Sequence, residues 1–171
     1  NYNVVFISDA KNFKQIKEQV LFIAKLIGRE KKGYSILNKI DNDLNKYIYN
    51  NKKIKNKKII ILSPNGYTKG KDSLLGNILN KLGYQNVINK LNINSYSRVS
   101  LEQILYLDPE VVIIEDSYND FVSLSQEFLN HSVLDYIIDK GKLLNLNKKL
   151  LSCSGPYSTQ IIKELIMQND G

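Results

Sequence analysis

At 171 residues the chain is long enough to bury a hydrophobic core, and its 43% hydrophobic and 24% charged residues exclude a disordered or collagen-like protein. The net charge of +7 suggests acidic partners, but the lysines are scattered and no aromatic residue lies in the densest basic run, residues 52–58, so we interpret that run as a solvated linker. The single cysteine, Cys153, excludes an internal disulfide and a thiolate metal site.

The first part of the chain predicts a strand and a long helix. Residues 4–7 are apolar and rich in β-formers, which is typical of a buried strand. Apolar residues then recur at helical spacing over residues 13–49, a length of about 55 Å, which exceeds the diameter of about 40 Å expected for the domain. Either this helix breaks near Gly28 and Gly33, or it is a strut that reaches a second lobe. We favour the strut.

From residue 58 onward, short apolar strands alternate with amphipathic helices. The predicted strands are residues 59–62, 111–114 and 143–146. A capping box at Ser100 to Gln103 begins one helix, which ends before the Asp108-Pro109 pair. The other predicted helices are residues 73–82, 122–129, 134–138 and 159–167. This alternation predicts an α/β fold with a mostly parallel sheet.

The loop at residues 63–72 follows a predicted strand, and ligands of open parallel sheets bind beyond the carboxyl ends of the strands. Gly66 and Gly70 permit tight turns, and the residues between them are polar. A phosphate loop would require serine or threonine after the Gly70-Lys71 pair, but Asp72 follows. A plain surface turn stays an equal alternative.

A second polar loop spans residues 95–98. Tyr96 and Arg98 would offer an aromatic face and a planar cation to a bulky anionic ligand, although Arg98 could instead pair with Glu102 or Asp72 on the surface. Glu115 and Asp116 follow a strand, and we interpret them as a solvated strand end because nothing nearby completes a metal site.

No catalytic arrangement is apparent. His131, the only histidine, lies at a predicted helix end and is interpreted as a cap or surface residue. Ser154 lacks the glycine spacing of a hydrolase elbow, and no activating pair accompanies Cys153. We therefore predict no catalytic residue, no metal site and no cofactor.

Several segments together resemble a known family. They are ILSPNGYTKG at residues 61–70, SLLGNIL at 73–79, YSRVSLEQIL at 96–105, LDPEVVI at 107–113 and LSCSGP at 151–156. In this order and spacing, the chain resembles the substrate-binding proteins of iron-siderophore, haem and cobalamin ABC importers. The resemblance implies two α/β lobes that are joined by one long helix and hold the ligand between them.

On this resemblance, residues 1–10 would end the N-terminal lobe, residues 11–53 would be the connecting helix, and residues 54–171 would be the C-terminal ligand-binding lobe. Since the chain begins at Asn1, within a strand-like run, we expect a fragment that lacks most of the N-terminal lobe and any signal peptide. The full-length form would be a monomer in the periplasm or cell envelope. It would reach the membrane only through the permease or an absent lipid anchor.

The resemblance also implies roles for individual residues. Glu102 would dock on the importer permease, and the ligand would be a small metal chelate. The ligand-facing residues would be Asn65, Tyr67, Thr68, Lys69, Tyr96 and Arg98, together with Ser154 and Tyr157. The chain would be neither an enzyme nor a nucleic-acid binder. Two alternatives stay open: a small α/β enzyme that acts on a phosphorylated substrate through residues 66–70, and a basic nucleic-acid interaction module.

Overall fold

Seven α-helices and six strands are the main elements of the described part of the computed structural model, which covers residues 4–49, 54, 56–115, 127–146, 148–151 and 153–169 and also contains a π-helical turn at Asn45–Tyr49 and short 3-10 helices. The helices are α1 (Phe13–Leu26), α2 (Glu30–Leu44), α3 (Leu74–Leu82), α4 (Leu101–Leu107), α5 (Ser132–Lys140), α6 (Lys148–Leu151) and α7 (Thr159–Asn169). The strands are β1 (Lys58–Leu62), β2 (Tyr67–Lys69), β3 (Gln85–Asn86), β4 (Tyr96–Arg98), β5 (Val111–Ile114) and β6 (Lys142–Asn145).

A four-stranded parallel sheet, in the order β3-β1-β5-β6, lies at the centre of the fold. Its inner strands run in register, so that Ile59 lies beside Val111 and Leu62 beside Ile114. The predicted strands at residues 59–62, 111–114 and 143–146 are therefore confirmed to within one residue, and so is the α/β class with a mostly parallel sheet.

Helices cover both faces of this sheet. Side chains alternate along a strand, so Ile59 and Ile61 face one side, where they pack with residues of α1, α2, α3 and α7. Ile60 and Leu62 face the other side, with residues of α4 and α5. All four side chains are fully buried, and each burial contributes about 1.5–3 kcal/mol. This burial on both faces explains why β1 is a continuous apolar run.

The long helix favoured from the sequence is wrong, because the chain forms two helices, α1 and α2, instead of one. Gly28 has φ of +64° and ends α1. The N–H of Arg29 donates to the carbonyl of Ala24 at 2.7 Å, and that of Gly28 to the carbonyl of Lys25 at 3.2 Å. This pair of hydrogen bonds is a Schellman motif, in which a left-handed glycine follows the helix.

The two helices fold back on each other. The Lys17 ammonium contacts the Asp41 carboxylate at 2.8 Å, and a Cβ on Gly33 would lie 2.6 Å from that of Ala24. These pairings run in opposite directions along the chain, so the helices are antiparallel. The hairpin turns the half of each apolar stripe that is farther from the turn toward the sheet, since Ile16 and Ile40 are each 1% exposed in the same core, whereas Ile27 and Tyr34 beside the turn are exposed.

Residues 4–7 were predicted as a buried strand, and this prediction is also wrong. They belong to no strand in the described part of the chain, and Phe6 is 93% exposed. An apolar run becomes a strand only where a neighbouring strand accepts its hydrogen bonds. No described strand pairs with this run, since β1, β3, β5 and β6 pair only among themselves.

The remaining helix predictions agree with the structure where it is described. The Ser100 capping box begins α4, and Ser73 caps α3 through a hydrogen bond from the Gly76 N–H. α5 and α7 match the predicted helices at residues 134–138 and 159–167. The helix predicted at residues 122–129 lies largely outside the described residues. Within the described ranges, no helix has the length and apolarity to cross a membrane.

Candidate ligand-binding site

The two polar loops are neighbours in space, because β2 and β4 pair as antiparallel strands. Tyr67 lies opposite Arg98, Thr68 opposite Ser97, and Lys69 opposite Tyr96. The pairing continues past the strands, where the N–H groups of residues 70 and 72 donate to the carbonyls of residues 95 and 94, at 2.6 and 2.7 Å. We call residues 67–69 and 96–98 the β2–β4 ribbon.

An aromatic pair lies on one face of this ribbon. Directly opposite residues share a face, so Tyr67, Lys69, Tyr96 and Arg98 all point the same way. The rings of Tyr67 and Tyr96 are stacked with centroids 4.8 Å apart, and the Arg98 guanidinium lies 5.3 Å from the Tyr67 ring centre. Arg98 Nε also donates to the backbone carbonyl of Asn65 at 3.1 Å. The predicted aromatic face and cation are thus one assembly.

The Tyr96 phenol keeps its proton at neutral pH. Partial desolvation raises the pKa of Tyr96 above its usual value, and the nearby Tyr67 and Glu115 raise it further. Because the side chain is nevertheless 57% exposed, its hydroxyl is an accessible hydrogen-bond donor at the edge of the ribbon.

A cavity of about 260 Å³ lies beside the ribbon. The chain segments that follow β1 and β6, including parts of β2, α3, α6 and α7, supply most of its described wall, so it lies beyond the carboxyl ends of those strands. Of the predicted ligand-facing residues, Lys69, Tyr96 and Ser154 line it. Asn65, Tyr67, Arg98 and Tyr157 do not. The remaining lining residues include Asp9, Lys11, Asp72, Ser73, Ser95 and Cys153.

Thr68 was predicted to face the ligand, and its position in the structure contradicts this. It lies between Tyr67 and Lys69 on β2, so its side chain points to the opposite face of the ribbon. Thr68 is fully buried, and its hydroxyl has no hydrogen-bond partner among the described residues. It is therefore an interior residue that supports the ribbon from behind.

Glu115 was interpreted as part of a solvated strand end, and this interpretation is wrong. It is 6% exposed. One carboxylate oxygen accepts a hydrogen bond from the Ser63 hydroxyl at 2.6 Å, and the other contacts the Lys69 ammonium at 2.8 Å. Glu115 thus holds a lysine that lines the cavity.

The sequence contained a partial signal for this contact. Ser63 and Glu115 each come directly after a predicted apolar strand, and the N–H of Glu115 donates to the carbonyl of Leu62 at 2.9 Å. First residues after adjacent parallel strands lie side by side. However, nothing in the local pattern shows that β1 and β5 are neighbours in the sheet.

Glu102 and His131 lie at helix starts, away from the residues that line the cavity. The Ser100 side chain and the backbone N–H of Glu102 itself hydrogen-bond the carboxylate and lower the pKa of Glu102, so it is ionised and exposed at neutral pH. The reciprocal cap to Ser100 comes from Gln103, as predicted. His131 is confirmed as a cap, because its Nδ1 accepts a hydrogen bond from the Val133 N–H at 3.2 Å.

Comparison with known families decides the classification of the chain. A family model described as periplasmic binding protein matches residues 1–134, which is more than half of the sequence. The chain belongs to the periplasmic binding protein family. The resemblance inferred from the ordered loop motifs is thereby confirmed. A search of curated proteins finds no match.

Solved structures of periplasmic binding proteins share this fold. A possible iron-binding periplasmic solute-binding protein from Staphylococcus epidermidis superposes with a TM-score of 0.76 at 21% identity, over 94% of this chain and 64% of that chain. A structure of an ABC-type Fe3+-hydroxamate transport system from Saccharomonospora viridis superposes with a TM-score of 0.73 at 18% identity, over 95% of this chain and 57% of that chain. The periplasmic heme-binding protein RhuT from Roseiflexus sp. RS-1 superposes with a TM-score of 0.71 at 14% identity, over 94% of this chain and 64% of that chain. The chain therefore spans less than two thirds of the length of these proteins.

Proposed function

We propose that the chain is the C-terminal part of a solute-binding protein of an ABC importer, and that it binds a ferric siderophore, haem-like or corrinoid ligand. The observation that carries this proposal is the β2–β4 ribbon beside a cavity beyond the carboxyl ends of β1 and β6. The names of similar structures, which describe iron-binding, Fe3+-hydroxamate and heme-binding proteins, support the same ligand class.

Within this proposal, residues 54–171 form the ligand-binding lobe and residues 11–53 connect it to an N-terminal lobe that residues 1–10 complete. The connector would contain the α1–α2 hairpin instead of one long helix. The exposed apolar residues 4–7 are consistent with this assignment, because they would gain cover from a further lobe. The full-length protein would act as a monomer in the periplasm or cell envelope, as a carrier without catalytic activity.

The ligand contacts that we propose are Lys69, Tyr96 and Ser154 in the cavity wall, with Tyr67 and Arg98 on the adjoining ribbon face. Asn65 and Tyr157 lie outside the cavity wall, where they would contact only the outer part of a large ligand. The stacked rings suit flat or bulky apolar groups, and the lysine and hydroxyls suit polar atoms around a chelated metal.

A titration with ferrichrome, haem and cobalamin tests this function. Because the chain has 11 tyrosines and no tryptophan, ligand binding can be followed by quenching of tyrosine fluorescence. We expect at least one of the three ligands to bind. Tyr96→Ala should weaken that binding by about tenfold, since it removes the exposed half of the stacked pair.

The matched control is Tyr106→Ala, because Tyr106 is 81% exposed on α4 and does not line the cavity. The ligand affinity of Tyr106→Ala should equal that of the unmodified chain. The proposed function would be abandoned if none of the three ligands bound. If both variants lost ligand affinity equally, the proposal of ligand binding would stand, but the ribbon would no longer be assigned to the binding site.

We also propose that Glu102 docks on basic residues of the importer permease. Its carboxylate is ionised, exposed and in the first turn of α4, and Gln103 leaves it free of the capping role. Glu102→Lys should weaken association with the permease by about tenfold or more and leave ligand affinity unchanged. The control is Glu30→Lys, which changes an exposed glutamate in the first turn of α2. Pull-down with the reconstituted permease measures the association of each variant. If Glu102→Lys and Glu30→Lys bound the permease equally well, Glu102 would be excluded as the docking residue.

A further inference from the structure

The positive charge of the chain is not concentrated at the cavity. The charged side chains of its described wall are two anions, Asp9 and Asp72, and two cations, Lys11 and Lys69. Their charges cancel, although the whole chain carries +7. Glu115 lies behind Lys69 and adds one negative charge, while Arg98 on the adjoining ribbon face adds one positive charge, so that the described surroundings of the cavity are close to neutral.

Lys69 is the only cation that the β2–β4 ribbon contributes to the described cavity wall, and its charge is already matched. Its side chain is 24% exposed, while that of its partner Glu115 is 7% exposed. A charge pair at 2.8 Å in such a partly desolvated position acts on a ligand as a dipole, not as a free cation. The Ser63 hydroxyl fixes the second carboxylate oxygen and so holds the pair in this geometry.

We infer that Glu115 determines the charge specificity of the site: by neutralising Lys69, it makes the cavity select uncharged metal chelates over strongly anionic ones. This inference rests on the proposed function, because it names the ligand class of the same site. An uncharged ferric tris-hydroxamate presents oxygen atoms to the ammonium and hydroxyl donors without adding charge. A trianionic ferric tris-catecholate finds no net positive charge in these surroundings to offset its own, because Glu115 neutralises Lys69 and Arg98 lies outside the described wall.

A purely structural ion pair would predict something different. Loss of Glu115 would then lower the affinity for every ligand to the same degree, through a distorted cavity. A charge-selecting role instead predicts that the ratio between two affinities changes. The ratio for an uncharged and an anionic chelate, measured on the same protein, therefore separates the two roles.

The experiment compares ferrichrome, an uncharged tris-hydroxamate, with ferric enterobactin, a trianionic tris-catecholate, by fluorescence titration of the full chain at low salt. We expect the unmodified chain to bind ferrichrome at least about tenfold more tightly. Glu115→Gln keeps the hydrogen-bonding shape and frees the lysine charge, so it should shift the affinity ratio toward ferric enterobactin by about tenfold or more. Added salt should reduce this shift.

Two further variants make the result interpretable. Lys69→Gln removes the cation and keeps Glu115, so it should shift the ratio in the opposite direction, and it serves if Glu115→Gln does not fold. Glu110→Gln is the matched control, because Glu110 flanks the other end of β5, outside the cavity wall, and glutamine retains an acceptor for the Lys58 N–H. Its ratio should equal that of the unmodified chain.

The possible outcomes are distinct. If the unmodified chain binds ferric enterobactin more tightly than ferrichrome, this inference is overturned and the proposed function stands. The same holds if the ratio of the two affinities is the same in Glu115→Gln, Lys69→Gln and the control Glu110→Gln. If the unmodified chain binds neither chelate, nor haem or cobalamin, the proposed function fails and this inference fails with it. Shifts of the affinity ratio in opposite directions for Glu115→Gln and Lys69→Gln support both this inference and the proposed function.

Discussion

Replacement of Gly70 by alanine is expected to lower the free energy of unfolding by about 3 kcal/mol. A Cβ at Gly70 would overlap the carbonyl oxygen of Ile93 and lie 2.5 Å from the carbonyl carbon of Asn94. Because these neighbours are backbone atoms, the clash is relieved only if one loop moves. That movement would break the hydrogen bonds from Gly70 to Ser95 and from Asp72 to Asn94. Urea denaturation followed by far-ultraviolet circular dichroism measures the loss.

Gly155→Ala is the matched control for this prediction. Gly155 also lies in a loop beside the cavity residue Ser154, but its φ is −154° and a Cβ added there would have no neighbouring atom within 4 Å. The free energy of unfolding of Gly155→Ala should stay within about 0.5 kcal/mol of that of the unmodified chain. If Gly70→Ala lowered the free energy of unfolding as little as Gly155→Ala, the close backbone packing of residue 70 against residues 93 and 94 would be contradicted.

Lys69→Met should lower the free energy of unfolding by about 2–3 kcal/mol, even in the absence of ligand. The change leaves Glu115, which is 6% exposed, with the Ser63 hydroxyl as its remaining side-chain donor in the described part of the chain. An unpaired carboxylate in that position loses its hydration without compensation. Glu115→Leu should be milder, because Lys69 is partly exposed and its ammonium can reach water.

The double variant Lys69→Met/Glu115→Leu provides the sharper test. Replacement of a whole buried ion pair by apolar residues is often nearly neutral, whereas removal of one partner is costly. We therefore expect the double variant to recover at least half of the stability that Lys69→Met loses. Urea denaturation of all four proteins gives the coupling free energy. Strictly additive losses would show that the two charges do not stabilise each other.

The sequence predicted three strands of the described parallel sheet and the helices α3, α4, α5 and α7 because the relevant signals are local. The apolar runs at residues 59–62 and 111–114 predicted buried strands from composition alone, and the Ser100 capping box located the start of α4. Each of these elements depends on residues only a few positions apart. The family could be recognised for a related reason, since the loop motifs follow these elements in a specific order.

The candidate site was only partly predictable. The resemblance implied that Lys69 and Tyr96 both face the ligand, and the structure places them opposite each other on the ribbon and in the same cavity wall. The side of the ribbon on which each residue lies was not predictable, and for that reason Thr68 was placed with the ligand-facing residues although it is buried. A shift of one residue in strand register exchanges the two faces, and a three-residue strand is too short to reveal its register from sequence.

By itself, the sequence determined the α/β class, three strands of the parallel sheet, the cap at Ser100, and the two polar loops that characterise the family. Tertiary structure alone decided that the chain turns back at Gly28, that the β2–β4 ribbon joins the two loops, and that Glu115 contacts Lys69 across 46 positions of sequence. The physical reason is that periodicity and caps record which residues are buried and where helices begin. Which distant groups meet depends on the order and register of strands, and on burial that only the assembled core provides.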